Sequence, residues 1–336
     1  MNSLWIFRTN MTNLEDYHQY TTLEDFKQKC WDFYILMGIW LLENKVFDEC
    51  IVWRLSKKER PDITFKVCKR YFTQKFVKDF SNCFHFKSPQ MTFFRGGFVQ
   101  YDNIVRSNPY FFGKKLYLGA SSRITPTYKG KYDKILVECN TDLKNIKKSI
   151  PFLKTSNPNI FKPIDKKIMY DICIPANFSQ MKYKGLDFLF CQISKSKILS
   201  KLKIISVGNQ EKHGRKIANK YGLSNITFSG HVDRFKLNEI LNQSRFGIVA
   251  SDQKDGCPRT STEILCSGTP LLVRNTTRLL KYYLDLPYVI SFDDKNLEKI
   301  YIESNEKYDE IKKKISDDSN SLSMDTICNL NLKYWS

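Results

Sequence analysis

The chain has 336 residues, 42% apolar and 26% charged, long enough for two domains and too apolar for wholesale disorder. Its 54 lysines and arginines face 35 aspartates and glutamates, a net charge of +19 split almost evenly: 27 against 16 through Asp165, and 27 against 19 beyond it. That balance excludes an acidic scaffold and a basic tail, and it favours anionic partners such as phosphates, nucleic acid or a negatively charged membrane face.

The chain opens without the basic start and apolar stretch of a secretory signal. Strands are predicted at residues 4–7, 50–53, 91–94, 115–118 and 134–138, with one long amphipathic helix over 23–43. The longest apolar run, residues 33–42, is far short of the ~20 needed to span a bilayer. Residues 55–87 resist assignment. From Lys57 to Lys87 they hold nine basic side chains against three acids, interleaved with Phe65, Tyr71, Phe72, Phe76, Phe80, Phe84 and Phe86. Two readings stay open there: a basic amphipathic helix with a solvated outer face, or a contact with an anionic leaflet. Residues 149–163 carry three prolines and few apolar side chains, which predicts a linker.

Beyond the linker the pattern sharpens. Short apolar runs at 169–174, 202–207, 226–228, 246–250, 270–273 and 288–291 alternate with helix-length segments at 184–199, 211–221, 236–243, 258–267 and 277–284. Such alternation predicts a parallel sheet with helices on both faces. The expected organisation is an N-terminal Rossmann-like domain over 1–160, a second one over 161–300, and a C-terminal helix and tail over 301–336 that packs back on the first. Ten cysteines occur with no CxxC pair and mostly within apolar runs. They read as free thiols of a reducing compartment rather than a disulfide framework or a zinc site. The expected location is cytoplasmic, peripheral at a membrane face.

The most informative segment is DGCPRTSTEILCSGTP, residues 255–270. A strand ends at Ala250, a loop carries an acid and a glycine, and a helix starts near Pro258 and stops at Gly268. A helix N-terminus at the carboxyl end of a parallel sheet offers free N–H groups and about half a positive charge to a diphosphate. Glu263, about a turn and a half into the helix, can accept a pair of hydrogen bonds from vicinal hydroxyls such as a ribose.

This segment resembles the donor-binding motif of GT-B glycosyltransferases of the group 1 (family 4) type, with two acids eight positions apart, here Asp255 and Glu263. Residues 170–177 followed by Tyr183-Lys184-Gly185-Leu186-Asp187 are similar to the family's first strand of the donor domain and its Lys-Gly helix start. Gly208 closes a second strand, and Gly230-His231-Val232 is similar to the loop whose backbone contacts the base. The resemblance implies a fold of two Rossmann-like domains whose parallel sheets face a central cleft. It also implies that Glu263 holds the ribose, that Asp255 and the Gly256 and Cys257 amides face the sugar and diphosphate beside Pro258, Arg259 and Thr260, and that Lys184 reaches the diphosphate. Many relatives carry an arginine where Phe178 stands here, so the diphosphate loses one cation or recruits Arg259.

On the acceptor side, Arg95-Gly96-Gly97 and Ser121-Ser122-Arg123 offer close backbone approaches, and no base is identifiable. The function this implies is transfer of a sugar from a nucleotide-diphosphate sugar to an acceptor hydroxyl of a glycan or lipid-linked acceptor. The transfer is expected to be retaining, with no metal, no cofactor and no nucleic acid. A nucleotide-sugar epimerase on the same fold, or a nucleic-acid-binding protein suggested by the charge, are the alternatives.

Overall fold

The computed structural model describes residues 2–8, 20–56, 59–96, 98–118, 131–178, 181–252, 258–318 and 320–335. The chain forms two compact units. One comprises Met1–Val137, Thr141–Leu153 and Ile327–Ser336, the other Glu138–Asn140 and Lys154–Thr326.

The first unit is built on eight strands: β1 (Ser3–Arg8), β2 (Glu49–Leu55), β3 (Ile63–Val67), β4 (Arg70–Val77), β5 (Met91–Arg95), β6 (Lys114–Leu118), β7 (Lys134–Val137) and β8 (Ser149–Pro151). Their order across the sheet is β3-β4-β2-β1-β5-β6-β7-β8, with every neighbouring pair parallel except β3 and β4. Central parallel strands are covered on both faces, which is why β1 is buried along its whole length.

Successive rows of β2, β1 and β5 point to opposite faces. Trp53, Phe7 and Phe94 form one row and stack, with centroids 6.1 and 5.2 Å apart and planes within 19°. The next row, Arg54, Arg8 and Arg95, lies on the other face, towards the helix Phe33–Glu43. Gly38 lets that helix sit down on the sheet, since a Cβ there would lie 2.9 Å from Cys50 Sγ.

Two sequence expectations change here. The single helix over 23–43 is two helices, Leu23–Lys29 and Phe33–Glu43. The physical reason is a second cap: Thr22 Oγ1 accepts from the Asp25 N–H and Asp32 Oδ1 from the Tyr34 N–H. The second helix is buried from Phe33 to Leu42 instead of being amphipathic.

Residues 55–87 hold the antiparallel hairpin β3–β4 and a 3₁₀ turn, Phe80–His85, and not a basic helix. Their β-branched and aromatic side chains alternate, and burying one face places Phe65 and Phe72 in the core; Phe80 in the turn is buried too. Lys75 and Lys78 pair with Asp62 and Glu59 at 2.6 and 3.0 Å.

The chain's last helix, Met324–Trp335, supplies the first unit from Ile327 onward. The Asn331 amide bonds the N–H and C=O of Leu153, each at 2.9 Å, and the Trp335 indole stacks on Phe152 with planes 8° apart.

The second unit carries β9 (Tyr170–Pro175), β10 (Ile204–Val207), β11 (Ile226–Gly230), β12 (Ser244–Val249), β13 (Leu271–Arg274) and β14 (Val289–Phe292), all parallel, in the order β11-β10-β9-β12-β13-β14. The chain runs outward from β9 to β11, then returns to β12 beside β9. The reversal leaves a crevice at the carboxyl ends of β9 and β12, where open α/β sheets take their ligands. The core is aliphatic with Phe178, Phe190, Phe228 and Phe246. The proline-bearing stretch from Lys154 is packed on this unit rather than solvated. Thr155, Ser156, Asn157, Ile160 and Phe161 are buried, and Ser156 Oγ lies 3.1 Å from Thr262 Oγ1.

Candidate active site

The carboxyl ends of β9 to β13 are drawn together by glycines. The Gly208 N–H donates to the Gly230 C=O at 2.9 Å, and a Cβ on Gly208 would lie 1.6 Å from the Ala176 carbonyl oxygen. Only glycine permits that approach between the ends of β9 and β10. Gly230 itself has φ +69°, which turns the chain sharply into His231 and Val232.

A second close approach fixes Lys184. The predicted helix over 184–199 is two helices, Met181–Lys184 and Leu186–Lys195, joined at Gly185 with φ +64°. A Cβ on Gly185 would lie 1.8 Å from the Ala250 carbonyl oxygen, so the corner is pressed against the residue that follows β12. The Asp252 N–H donates to the Tyr183 C=O at 2.9 Å, tying the same two segments. Half-buried Lys184 therefore stands at the carboxyl edge of the sheet.

The helix Arg259–Cys266 follows β12, with Pro258 at its N-cap rather than in its first turn. It lies close on the sheet because Gly247 has no side chain; a Cβ there would be 2.6 Å from Ile264. Gly268, at φ +72°, ends the helix, its N–H bonding the Leu265 C=O. Glu263 is only 4% exposed and its carboxylate pairs with the Arg234 guanidinium. Arg234 opens the helix Arg234–Asn242 just after Val232, so this pair links the 255–270 segment to the loop after β11. Ser261 Oγ, buried in the first turn, has no hydrogen-bond partner among the described residues. Asp255, Gly256 and Cys257 lie outside the described residues.

Phe178 is a core residue, 5.8 Å from Phe228, and Gly214 makes room for both rings. The position where relatives carry an arginine is thus turned inward. His231 is exposed, Val232 is half-buried, and Arg259 is exposed at the start of its helix beside half-buried Thr260. Sequence reasoning missed Arg234, whose signal was its place two residues after Val232 and directly behind the capping Asp233.

In the first unit, Arg95 and Gly96 stand at the carboxyl end of β5, with the Gly96 N–H bonding the Leu118 C=O. Gly97, Ser121, Ser122 and Arg123 lie outside the described residues. The nine cysteines described are free, and Cys257 is not among the described residues. Burial pushes the thiols of Cys50 and Cys173 well above their ordinary range, and that of Cys83 up to about 12. No helix among the described residues is long and apolar enough to cross a membrane.

Residues 172–315 match the family described as glycosyl transferases group 1. That segment, less than half of the chain, is similar to the group 1 glycosyltransferases. The GT-B fold is seen again in solved structures of low identity. A glycosyltransferase from Rickettsia africae is 12% identical over 99% of this chain and 97% of its own, with a TM-score of 0.66. The E. coli structure described as trehalose-6-phosphate bound with UDP-2-fluoro glucose is 10% identical over 99% of each chain, TM-score 0.64. A trehalose-6-phosphate synthase whose description concerns glycosyltransfer with retention is 10% identical over 99% of this chain and 98% of its own, TM-score 0.65. No curated protein matches the sequence. The chain therefore combines two largely parallel-sheet units, and the matched segment contains Lys184, Arg234 and Glu263.

Proposed function

We propose that this chain is a glycosyltransferase that takes its sugar from a nucleotide-diphosphate sugar and passes it to an acceptor hydroxyl of a glycan or lipid-linked acceptor, with retention and without a metal. The observation that carries the reading is the buried Glu263 carboxylate, held by Arg234 beside the loop after β11. A fixed carboxylate at that depth suits two ribose hydroxyls. The unpartnered Ser261 hydroxyl and the N-terminal turn of the same helix suit phosphate oxygens. The UDP-2-fluoro glucose of the E. coli neighbour supports a nucleotide-sugar donor, and the synthase associated with retention supports that outcome.

In this reading the bond between the sugar's anomeric carbon and the diphosphate oxygen breaks as the acceptor oxygen bonds the same face of that carbon. The acceptor's proton passes to the departing phosphate oxygen. Lys184 and the helix N-terminus stabilise the charge that develops on the diphosphate, which is where an electrostatic catalyst gains most. A peripheral contact with an anionic membrane face would use Lys66, Lys69 and Tyr71, exposed on the β3–β4 hairpin.

The test is a thermal-shift series with UDP-, GDP-, ADP- and dTDP-sugars, since a ligand at ~100 times its dissociation constant adds about 2.7 kcal/mol to stability. One donor is expected to shift the transition. If none does, and DNA or RNA binds with steep salt dependence, the nucleic-acid alternative replaces this one.

A further inference from the structure

In the reading above, the nucleotide's ribose sits at Glu263 and its diphosphate at the start of the helix Arg259–Cys266. Glu263 pairs with Arg234, the first residue of the helix that follows the loop after β11. A base that leaves the ribose on the side away from the diphosphate therefore comes to the carboxyl ends of β11 and β10. There the turns at Gly230 and Gly208 meet through a backbone bond of 2.9 Å.

One charged side chain overhangs that place. Glu211 opens the helix Glu211–Lys220, set there by Gln210, whose φ of +60° turns the chain through the left-handed region. A Cβ on Gly230 would lie 3.0 Å from Glu211 Oε2, and no other described side chain comes within 4 Å of it. The other oxygen, Oε1, is 3.6 Å from Arg215 Nε. Arg215 is itself fixed, since its guanidinium lies 5.1 Å from the Phe228 ring centroid and donates to the Phe228 C=O at 3.4 Å. Arg215 thus aims the carboxylate at the turn. Glu211 is half-buried, and among the described residues its carboxylate accepts no hydrogen bond. Nearby His213 is engaged by Gln210, with its Nδ1 2.9 Å from Gln210 Oε1, and His231 is exposed.

An ionised carboxylate offers two acceptor oxygens and no donor. The nucleobases answer it differently. Guanine presents two donors side by side, N1–H and the 2-amino group, spaced to meet both oxygens of one carboxylate. Uracil presents a single N–H between two carbonyl oxygens. Adenine and cytosine each set an amino group beside a bare ring nitrogen. All three turn an acceptor towards the carboxylate, and a site that leaves a charged group facing an acceptor discriminates against that ligand.

We infer that Glu211 reads the donor's base and that this base is guanine, so the donor is a guanosine-diphosphate sugar. The inference rests on the donor reading above and deepens it by naming the nucleotide. Guanine N1–H and the 2-amino group donate to the Glu211 carboxylate. UDP shares the ribose and the diphosphate and binds through those alone, more weakly.

The experiment is isothermal titration of the full chain with GDP, IDP, UDP and ADP; IDP is GDP without the 2-amino group. Wild-type protein is expected to bind GDP about tenfold or more tightly than each of the other three, the equivalent of one charge-assisted hydrogen bond. Glu211→Gln sets an amide N–H against guanine's donors, so GDP should weaken about tenfold and lose its advantage over IDP, with UDP affinity no lower. Glu211→Asp keeps the charge in the helix's first turn but shortens the reach, and should also lose the contrast between GDP and IDP. A merely structural role for Glu211 would lower all four affinities together and leave that contrast in place. The inference is overturned if GDP binds no more tightly than UDP, or if Glu211→Gln keeps the wild-type ratio of GDP to IDP. Glu211 is then a first-turn acid paired with Arg215 and nothing more. Binding of all four nucleotides without preference defeats this inference alone, whereas binding of none defeats the donor reading and this inference with it.

Discussion

Replacing Glu263 by glutamine keeps the side chain's size and removes its charge, and the structure separates two effects of doing so. The first is on stability. Glu263 is buried and Arg234 is about a third exposed, so the guanidinium that loses this carboxylate can partly turn to water. The cost is then about 1–3 kcal/mol, that of a charged group losing its partner, and below the loss for a fully buried pair. The second is on donor binding. Charge-assisted hydrogen bonds to ribose hydroxyls contribute about 1.5–3 kcal/mol each, so losing the equivalent of one weakens UDP binding about 10- to 150-fold. Glu263→Gln combined with Arg234→Met tells the two apart. The double variant removes the guanidinium together with the carboxylate, so its melting temperature should recover towards wild type while UDP affinity stays low. Calorimetric titration with UDP and thermal melting of the three proteins read both quantities. A folded Glu263→Gln protein that binds UDP with wild-type affinity would refute the reasoning.

Lys184→Ala should lower kcat on the order of 10²-fold while changing the affinity for UMP little, measured by steady-state turnover and titration, because in the proposed mechanism the cation acts on the leaving diphosphate. Gly185→Ala drives a Cβ to within 1.8 Å of the Ala250 carbonyl in a left-handed conformation, so the Lys184 corner must move by an ångström or more. Turnover should fall about 100-fold with the circular dichroism spectrum retained. Trp335→Ala removes the indole stacked on Phe152 and should cost the first unit about 3–5 kcal/mol, read as faster proteolysis of that unit with UDP affinity intact. A thiol reagent at pH 8 should label exposed Cys68 within minutes and reach Cys50 and Cys173 only in denaturant, as mass spectrometry of the labelled peptides will show.

The sequence by itself determined the alternation of the second unit, because a strand buried on both faces must be a short apolar run and its crossover helix must be amphipathic. It also determined the helix near Pro258, since a proline start, a glycine stop and an acid inside are local chemistry. Those local rules place Glu263 at its depth along the helix before any tertiary contact exists. The single helix expected over 23–43 proved to be two and residues 55–87 resisted assignment, because periodicity in aromatic-rich stretches does not choose between helix and strand without a packing partner.

Tertiary structure decided the rest. That Gly185 must be glycine follows only from the Ala250 carbonyl above it, and that Phe178 faces the core follows only from Gly214 and Phe228. The partnership of Glu263 with Arg234 joins residues 29 apart. The arginine row joins Arg8, Arg54 and Arg95, each of which ends an unremarkable apolar run. Strand register is a long-range property set by which faces are buried together, and no single segment carries it.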